Sequence, residues 1–161
     1  MSREETVPDD LYIFIDFRID WVEDRRFGFH YVITIDGSDA RYESPHGSEA
    51  DGKHFEGPVE FELDWHQFDE LIETVEFGNL RQSVEEVINL PNNLTPWYTE
   101  IDAKAEIHLD GEQYELTMRG LESQAPAQNE ALLLDHDKQA AGLHRICKTV
   151  KRWARTAEKK E

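Results

Sequence analysis

Four polar residues near the N-terminus have the types and spacing of a site for acid–base or ion-binding chemistry. Asp16, Arg18 and Asp20 alternate with apolar residues in LYIFIDFRIDW, and His30 follows in the next apolar stretch. Alternate residues of a strand point to one face of a sheet, so we expect these four side chains to cluster on the face turned away from the core. A carboxylate beside a histidine can act in general acid–base catalysis, but the same residues are ordinary on the wet face of an antiparallel sheet. The sequence therefore predicts a binding surface here and assigns no catalytic residue.

A second set of potential ligands lies in the stretch at residues 45–58. His46, Glu49, Asp51 and His54 have side chains that zinc and similar metals bind. Their spacing matches no familiar metal site, and the stretch has the composition of a surface loop. The chain also has no phosphate-binding glycine loop and no nucleophile elbow. We therefore predict no metal and no cofactor, and an enzymatic role is left uncertain.

A row of basic residues follows helical spacing near the C-terminus. Arg145, Lys148, Arg152 and Arg155 succeed one another at intervals of three, four and three residues, which places them on one face of a helix. The opposite stripe of that helix is apolar and is expected to pack on the core. It consists of Leu143, Ile146, Cys147, Val150, Trp153, Ala154 and Ala157.

Two roles are open for this basic row. It can offset the acidic flank of an earlier predicted helix, where Asp69, Glu73 and Glu76 lie, because rows of charge on helices are usually solvated faces. Alternatively, it can dock an acidic protein or a phosphate group. The only cysteine, Cys147, lies on the apolar stripe and is predicted to be a buried thiol rather than a nucleophile.

Charge is divided unevenly along the 161 residues. The whole chain carries −18, whereas residues 138–161 contain eight basic and two acidic side chains and so carry +6, which leaves −24 on the rest. A body of that charge repels nucleic acid and anionic lipid and attracts cationic partners. Solubility or adaptation to a salty cytoplasm would explain the same acidity.

The elements that must position these residues begin with two predicted hairpins. In the first, a loop at residues 22–26 sets Ile19 opposite Phe29 and Ile15 opposite Ile33. In the second, Asp110-Gly111 has the signature of a type I′ turn, and it sets the residues of 103–107 opposite those of 114–118. Both registers make one face uniformly apolar, which is what fixes the register of a strand pair.

Strands and helices are predicted to follow each hairpin. A strand near residues 40–44 and another at 59–63 precede a helix capped by Asp64. The spacing of Ser83 and Glu86 favours a short capped helix. A strand at residues 132–134 precedes the long basic helix, which Asp135 is expected to cap.

These elements predict one α+β domain over residues 1–161, with a mostly antiparallel sheet of six or seven strands and two main helices on one face. The halves at 9–77 and 99–158, joined by a connector at 78–98, form a weak pseudo-repeat of hairpin, strand and helix. The order of the strands is not determined by these patterns.

Three functions are compatible with this sequence. The first is a non-catalytic acidic protein that docks a basic protein partner, in the manner of immunity proteins and inhibitors. The second is a small-ligand-binding protein or enzyme that uses the solvent-facing sheet surface. The third is a nucleic-acid or scaffold binder acting through the basic helix, which the acidic body disfavours. No apolar run reaches the roughly 20 residues of a membrane span, so we expect a cytoplasmic protein, with its oligomeric state open.

Overall fold

The computed structural model describes residues 6–21, 28–44, 56–88, 99–123 and 138–159. In chain order, the elements are β1 (Tyr12–Trp21), β2 (Gly28–Asp36), β3 (Asp39–Ser44), β4 (Glu56–Glu62), α1 (Trp65–Phe77), β5 (Val84–Ile88), β6 (Thr99–Leu109), β7 (Glu112–Ser123) and α2 (Lys138–Lys159). Neither helix within these described ranges is long and apolar enough to cross a membrane.

The strands form one seven-stranded sheet in the order β4-β3-β2-β1-β6-β7-β5. All neighbours are antiparallel except β5 and β7, which run parallel. Together with the two helices this is the predicted α+β architecture. The N-terminal strand β1 lies at the centre and joins the first hairpin to the second.

Both hairpin registers are confirmed. Ile19 pairs with Phe29 and Ile15 with Ile33 in the first, and the second pairs Ile107 with Tyr114. The turn between β6 and β7 has positive φ at both central positions, 55° at Asp110 and 78° at Gly111, as a type I′ turn requires. Local alternation and turn chemistry therefore determine these two strand pairs.

The predicted short helix after Ser83 is wrong, because residues 84–88 form β5 and pair with β7. Val84, Val87 and Ile88 are β-branched and favour an extended backbone, and in this position they pair with the outer strand of the second hairpin. The Ser83 hydroxyl accepts a hydrogen bond from the backbone N–H of Glu115 at 3.0 Å. That hydroxyl therefore anchors the start of β5 against β7.

The core lies between one face of the sheet and the two helices. Ile13, Ile15 and Phe17 of β1 are fully buried. Asp64 caps α1 as predicted, since its carboxylate accepts from the Gln67 N–H at 2.8 Å and the Gln67 side chain completes a capping box. Burial of the apolar face of a helix is what stabilises helices of this length.

The long helix α2 packs on the core by its predicted apolar stripe. Leu143, Ile146, Cys147 and Val150 are fully buried, and Trp153 is partly buried against the same core. The orientation of the helix is therefore the one that its sequence predicts.

One detail of the first half differs from prediction. β4 begins at Glu56, three residues before the expected strand, and so includes Pro58. Proline lacks a backbone N–H and is tolerated on edge strands, and β4 is the last described strand on its side of the sheet.

The predicted strand at 132–134, the cap Asp135 and the ligand set of 46–54 lie outside the described residues. The pseudo-repeat stays a prediction.

Candidate functional site

Three of the four polar residues predicted to cluster on the outer face of the sheet do so. β1 lies between β2 and β6, and its even-numbered residues point away from the helices because Ile13, Ile15 and Phe17 point towards them. Arg18 is directly opposite His30 of β2, and Asp16 is two residues further along β1. Asp20 occupies the next position on that face of β1, but its side chain lies outside the described residues.

His30 and Asp16 form a direct hydrogen bond on this face. The His30 Nε2 atom lies 2.7 Å from Asp16 Oδ1, so the imidazole N–H donates to the carboxylate. The histidine side chain is only 13% exposed, compared with 42% for the aspartate. His30 is therefore largely buried, although a side chain on an open sheet face would ordinarily be exposed to solvent.

The same face carries a second histidine–carboxylate pair, between His108 Nε2 and Glu106 Oε1 at 3.0 Å. Both of its side chains are 36% exposed. A histidine–carboxylate hydrogen bond alone therefore does not identify a binding site on this face. The residues around His30 decide whether it belongs to one.

Those surroundings include two residues that the sequence analysis missed. Asp102 of β6 is directly opposite Arg18, and Lys104 is directly opposite Asp16. Together the five side chains line one cavity of about 150 Å³. The two missed residues belong to the other predicted half of the chain, and only the pairing of β1 with β6 brings them here.

The chemistry available in this cavity is ionic. Arg18 and Lys104 supply positive charge, Asp16 and Asp102 supply negative charge, and His30 adds an imidazole ring. The five lining residues include no hydroxyl or thiol that could act as a nucleophile. Within the described ranges, no group of three or more His, Cys, Asp or Glu side chains could hold a metal. The arrangement is suited to binding charged groups.

A different surface, at one end of the sheet, is purely acidic. Asp36 ends β2, Asp39 begins β3 and Glu62 ends β4. Asp39 is the direct cross-strand partner of both Asp36 and Glu62. Asp9 and Asp10 lie in the turn before β1, where the Asp9 backbone runs within 4 Å of the Cβ position of Gly37. These five exposed carboxylates, Asp9, Asp10, Asp36, Asp39 and Glu62, are called the acidic corner below.

The acidic corner contains no internal compensation of its charge. None of its five carboxylates makes an ion pair with another residue in the part of the chain that the structure describes. The nearest cation along β3, Arg41, is turned to Glu43 at 3.9 Å. Like charges directly opposite each other destabilise a sheet.

The basic row of α2 is exposed, as predicted, but its acidic partner is different. Arg152 pairs with Glu70 of α1 at 3.1 Å, whereas Asp69 and Glu73 make no ion pair with α2. Glu76 pairs with Arg81 instead. The α1 residue that pairs with α2 is therefore Glu70, which directly follows Asp69 of the predicted acidic flank.

Arg145 and Lys138 both lie over the ring of Phe77, each 5.2 Å from its centroid. Phe77 is 47% exposed, so these cation–π contacts cover part of an otherwise open aromatic side chain. All four residues of the basic row therefore interact with other residues of the protein. Lys148 and Arg155 are exposed in the same row.

Cys147 is fully buried, and burial raises the pKa of its thiol well above the usual range. A buried protonated thiol is a poor nucleophile, as the sequence indicates. His144, which the predicted stripe omits, is also buried and packs against the rings of Phe17 and Tyr31 at centroid distances of 5.4 and 5.8 Å. In the first turns of α2, the buried surface is therefore wider than the predicted apolar stripe.

Comparison with known proteins does not assign a function. No protein-family model matches the chain, and searches of curated proteins and of solved structures found no match either.

Proposed function

We propose that this protein is a non-catalytic binding protein that docks a basic surface of a protein partner on its acidic corner. The observation that carries the proposal is the row of Asp36, Asp39 and Glu62. Register sets these three exposed carboxylates side by side across β2, β3 and β4.

The row is unfavourable for the isolated fold. Cross-strand pairs of opposite charge contribute roughly 0.2–1 kcal/mol, and like pairs oppose folding by a comparable amount. A partner that places lysine or arginine side chains over the row removes this repulsion and gains charge-assisted hydrogen bonds. The free energy of binding therefore includes relief of a repulsion that exists before the partner arrives.

The net charge of the whole chain also favours a basic partner. A protein with a net charge of −18 attracts a cationic partner over long range and accelerates their encounter. Electrostatic steering of this kind weakens with ionic strength, since the Debye length is about 8 Å at physiological salt.

Docking through the basic helix is less well supported. Arg152 is engaged by Glu70 and Arg145 lies on Phe77, so an acidic partner would have to compete with existing contacts. Any nucleic acid would also approach a strongly negative molecule. The geometry therefore favours the acidic corner as the docking surface.

The test compares two triple variants of equal net charge as baits in a lysate of the source cells. One removes the row with D36N, D39N and E62Q, and the other removes three exposed, unpaired carboxylates elsewhere with D69N, E73Q and E85Q. The wild type and the second variant should retain the same basic protein, identified by mass spectrometry, and the first should lose it. Equal retention by all three baits would refute the acidic corner, and equal loss from both variants would show that only total charge matters.

A further inference from the structure

We propose that the cavity between β1, β2 and β6 is a binding site for a small zwitterion, a molecule of amino-acid size with one ammonium and one carboxylate group. The site is separate from the acidic corner. Asp16 and Tyr12 are four residues apart on β1, and Tyr12 pairs with Asp36, so the two surfaces are about 13 Å apart. The proposal does not depend on the docking function.

The register of three strands fixes the geometry of the lining. Arg18 has His30 on one side and Asp102 on the other, and in the next row Asp16 has Lys104 beside it. Neighbouring strands are about 4.8 Å apart and alternate residues about 7 Å apart. The charges therefore form a small lattice of alternating sign in which every cation has an anion as a neighbour.

Two of these charges are available to a ligand. Asp102 and Lys104 are both exposed, and neither makes an ion pair with another residue in the described ranges. They are alternate residues on one face of β6, so their backbones are about 7 Å apart. An ammonium group on Asp102 and a carboxylate on Lys104 fit the two ends of one small dipolar molecule.

His30 forms the covered side of the cavity. His30 is mostly buried, and its hydrogen bond to Asp16 fixes the orientation of both side chains. A preorganised wall reduces the entropy lost when a ligand binds. The rim supplied by β6 is exposed, whereas His30 on the β2 side is mostly buried, so a ligand enters from the side of Asp102 and Lys104.

The cavity has the size for such a ligand and not for a larger one. Its volume is about 150 Å³, a volume that in a protein interior holds a molecule as large as benzene. Typical pockets for larger ligands measure roughly 300–1,000 Å³. A nucleotide or a sugar would extend beyond the lining.

The lining also selects a dipolar ligand over a singly charged one. An anion attracted by Lys104 and Arg18 also meets Asp16 and Asp102 in the same lining, and a cation meets the reverse. Like charges brought together in a partly dehydrated site are strongly disfavoured. A ligand with both charges gains two favourable contacts, one at Asp102 and one at Lys104, where a singly charged ligand gains one.

The experiment is an NMR titration of the isotope-labelled full chain with L-alanine and its two single-charge analogues, propionate and ethylamine. L-Alanine should shift the amide signals around Asp16, His30 and Lys104, with a Kd on the order of 1 mM. Propionate and ethylamine should each bind about tenfold more weakly or not at all, since each lacks one charged contact. No shift around the cavity with about 20 mM L-alanine would overturn the proposal.

Matched variants decide whether the rim is responsible. K104Q and D102N should each weaken L-alanine binding about tenfold. The controls K148Q on α2 and D69N on α1 change the same charges elsewhere and should leave it unchanged. If propionate binds as well as L-alanine and D102N has no effect, the cavity is an anion site and the zwitterion proposal is wrong. Unchanged amide spectra outside the cavity would show that each variant is folded.

Discussion

Gly78, which ends α1, and Gly142, in the second turn of α2, are in backbone contact. A Cβ atom on Gly142 would lie 2.9 Å from the Gly78 Cα, and one on Gly78 would lie 3.0 Å from the Gly142 Cα. Such an approach is possible only because neither residue has a side chain. It lets the two helices cross closely over the sheet, with Leu80 packed beside the crossing.

The glycine contact predicts the sign of a stability change. In an exposed helix interior, Gly→Ala stabilises by roughly 0.5–1 kcal/mol. At position 142 the added methyl group meets backbone, which moves less easily than a side chain, so Gly142→Ala should lower the free energy of unfolding by about 1–3 kcal/mol. Urea unfolding measures this, with E158A on the exposed side of α2 as the control. A more stable G142A protein would mean that the helices do not touch here.

The turn between β6 and β7 makes a second prediction, about backbone strain alone. Gly111 has a φ of 78°, and a Cβ there would meet nothing within 4 Å. Any loss from Gly111→Val is therefore conformational, and we expect about 1–3 kcal/mol. Gly111→Asn should cost less, because asparagine tolerates positive φ. Thermal unfolding of the two variants tests this, and equal losses would indicate that φ is not the cause.

Trp153 should contribute less to stability than a fully enclosed tryptophan. A buried tryptophan changed to alanine costs roughly 3–5 kcal/mol, but Trp153 is only partly buried against the core. We expect Trp153→Ala to cost about 1–3 kcal/mol in chemical denaturation, compared with a change within about 0.5 kcal/mol for T156A. A W153A protein as stable as the wild type would show that the indole does not pack on the core.

The ion pair between Arg152 and Glu70 should be weak. Its side chains are 63% and 47% exposed, and exposed pairs contribute about 0–1 kcal/mol. A double-mutant cycle with R152Q and E70Q should give a coupling energy in that range at low salt and close to zero at about 1 M salt. A coupling that persists at high salt would contradict a purely electrostatic, solvent-exposed contact.

Local patterns predicted those parts of the fold that local interactions determine. The two hairpins follow from strict alternation and from Asp110-Gly111, and the start of α1 follows from the capping residue Asp64. The helix predicted for residues 84–88 is wrong because a five-residue segment with three apolar side chains fits either a helical or an extended backbone. Its partner, β7, is distant in sequence, so no local pattern predicts that the two strands pair.

The candidate surfaces depend on pairings between distant strands. Asp16, Arg18 and His30 could be predicted together because one hairpin contains them. Asp102 and Lys104 could not, since only the contact of β1 with β6 brings them to the cavity. Similarly, Glu62 joins Asp39 only through the pairing of β3 with β4. His144 is enclosed because it packs against Phe17 of β1 and Tyr31 of β2, which a helical wheel does not show.

Mapping where a cationic probe binds decides whether the acidic corner is the docking surface for basic partners. An oligolysine peptide is titrated into the isotope-labelled protein at low ionic strength, and amide shifts are recorded by NMR. We predict that the largest shifts occur at Asp9, Asp10, Asp36, Asp39 and Glu62, and that they fall as salt is added. Shifts that are as large at Asp69 and Glu73 of α1 as at the corner would contradict the claim.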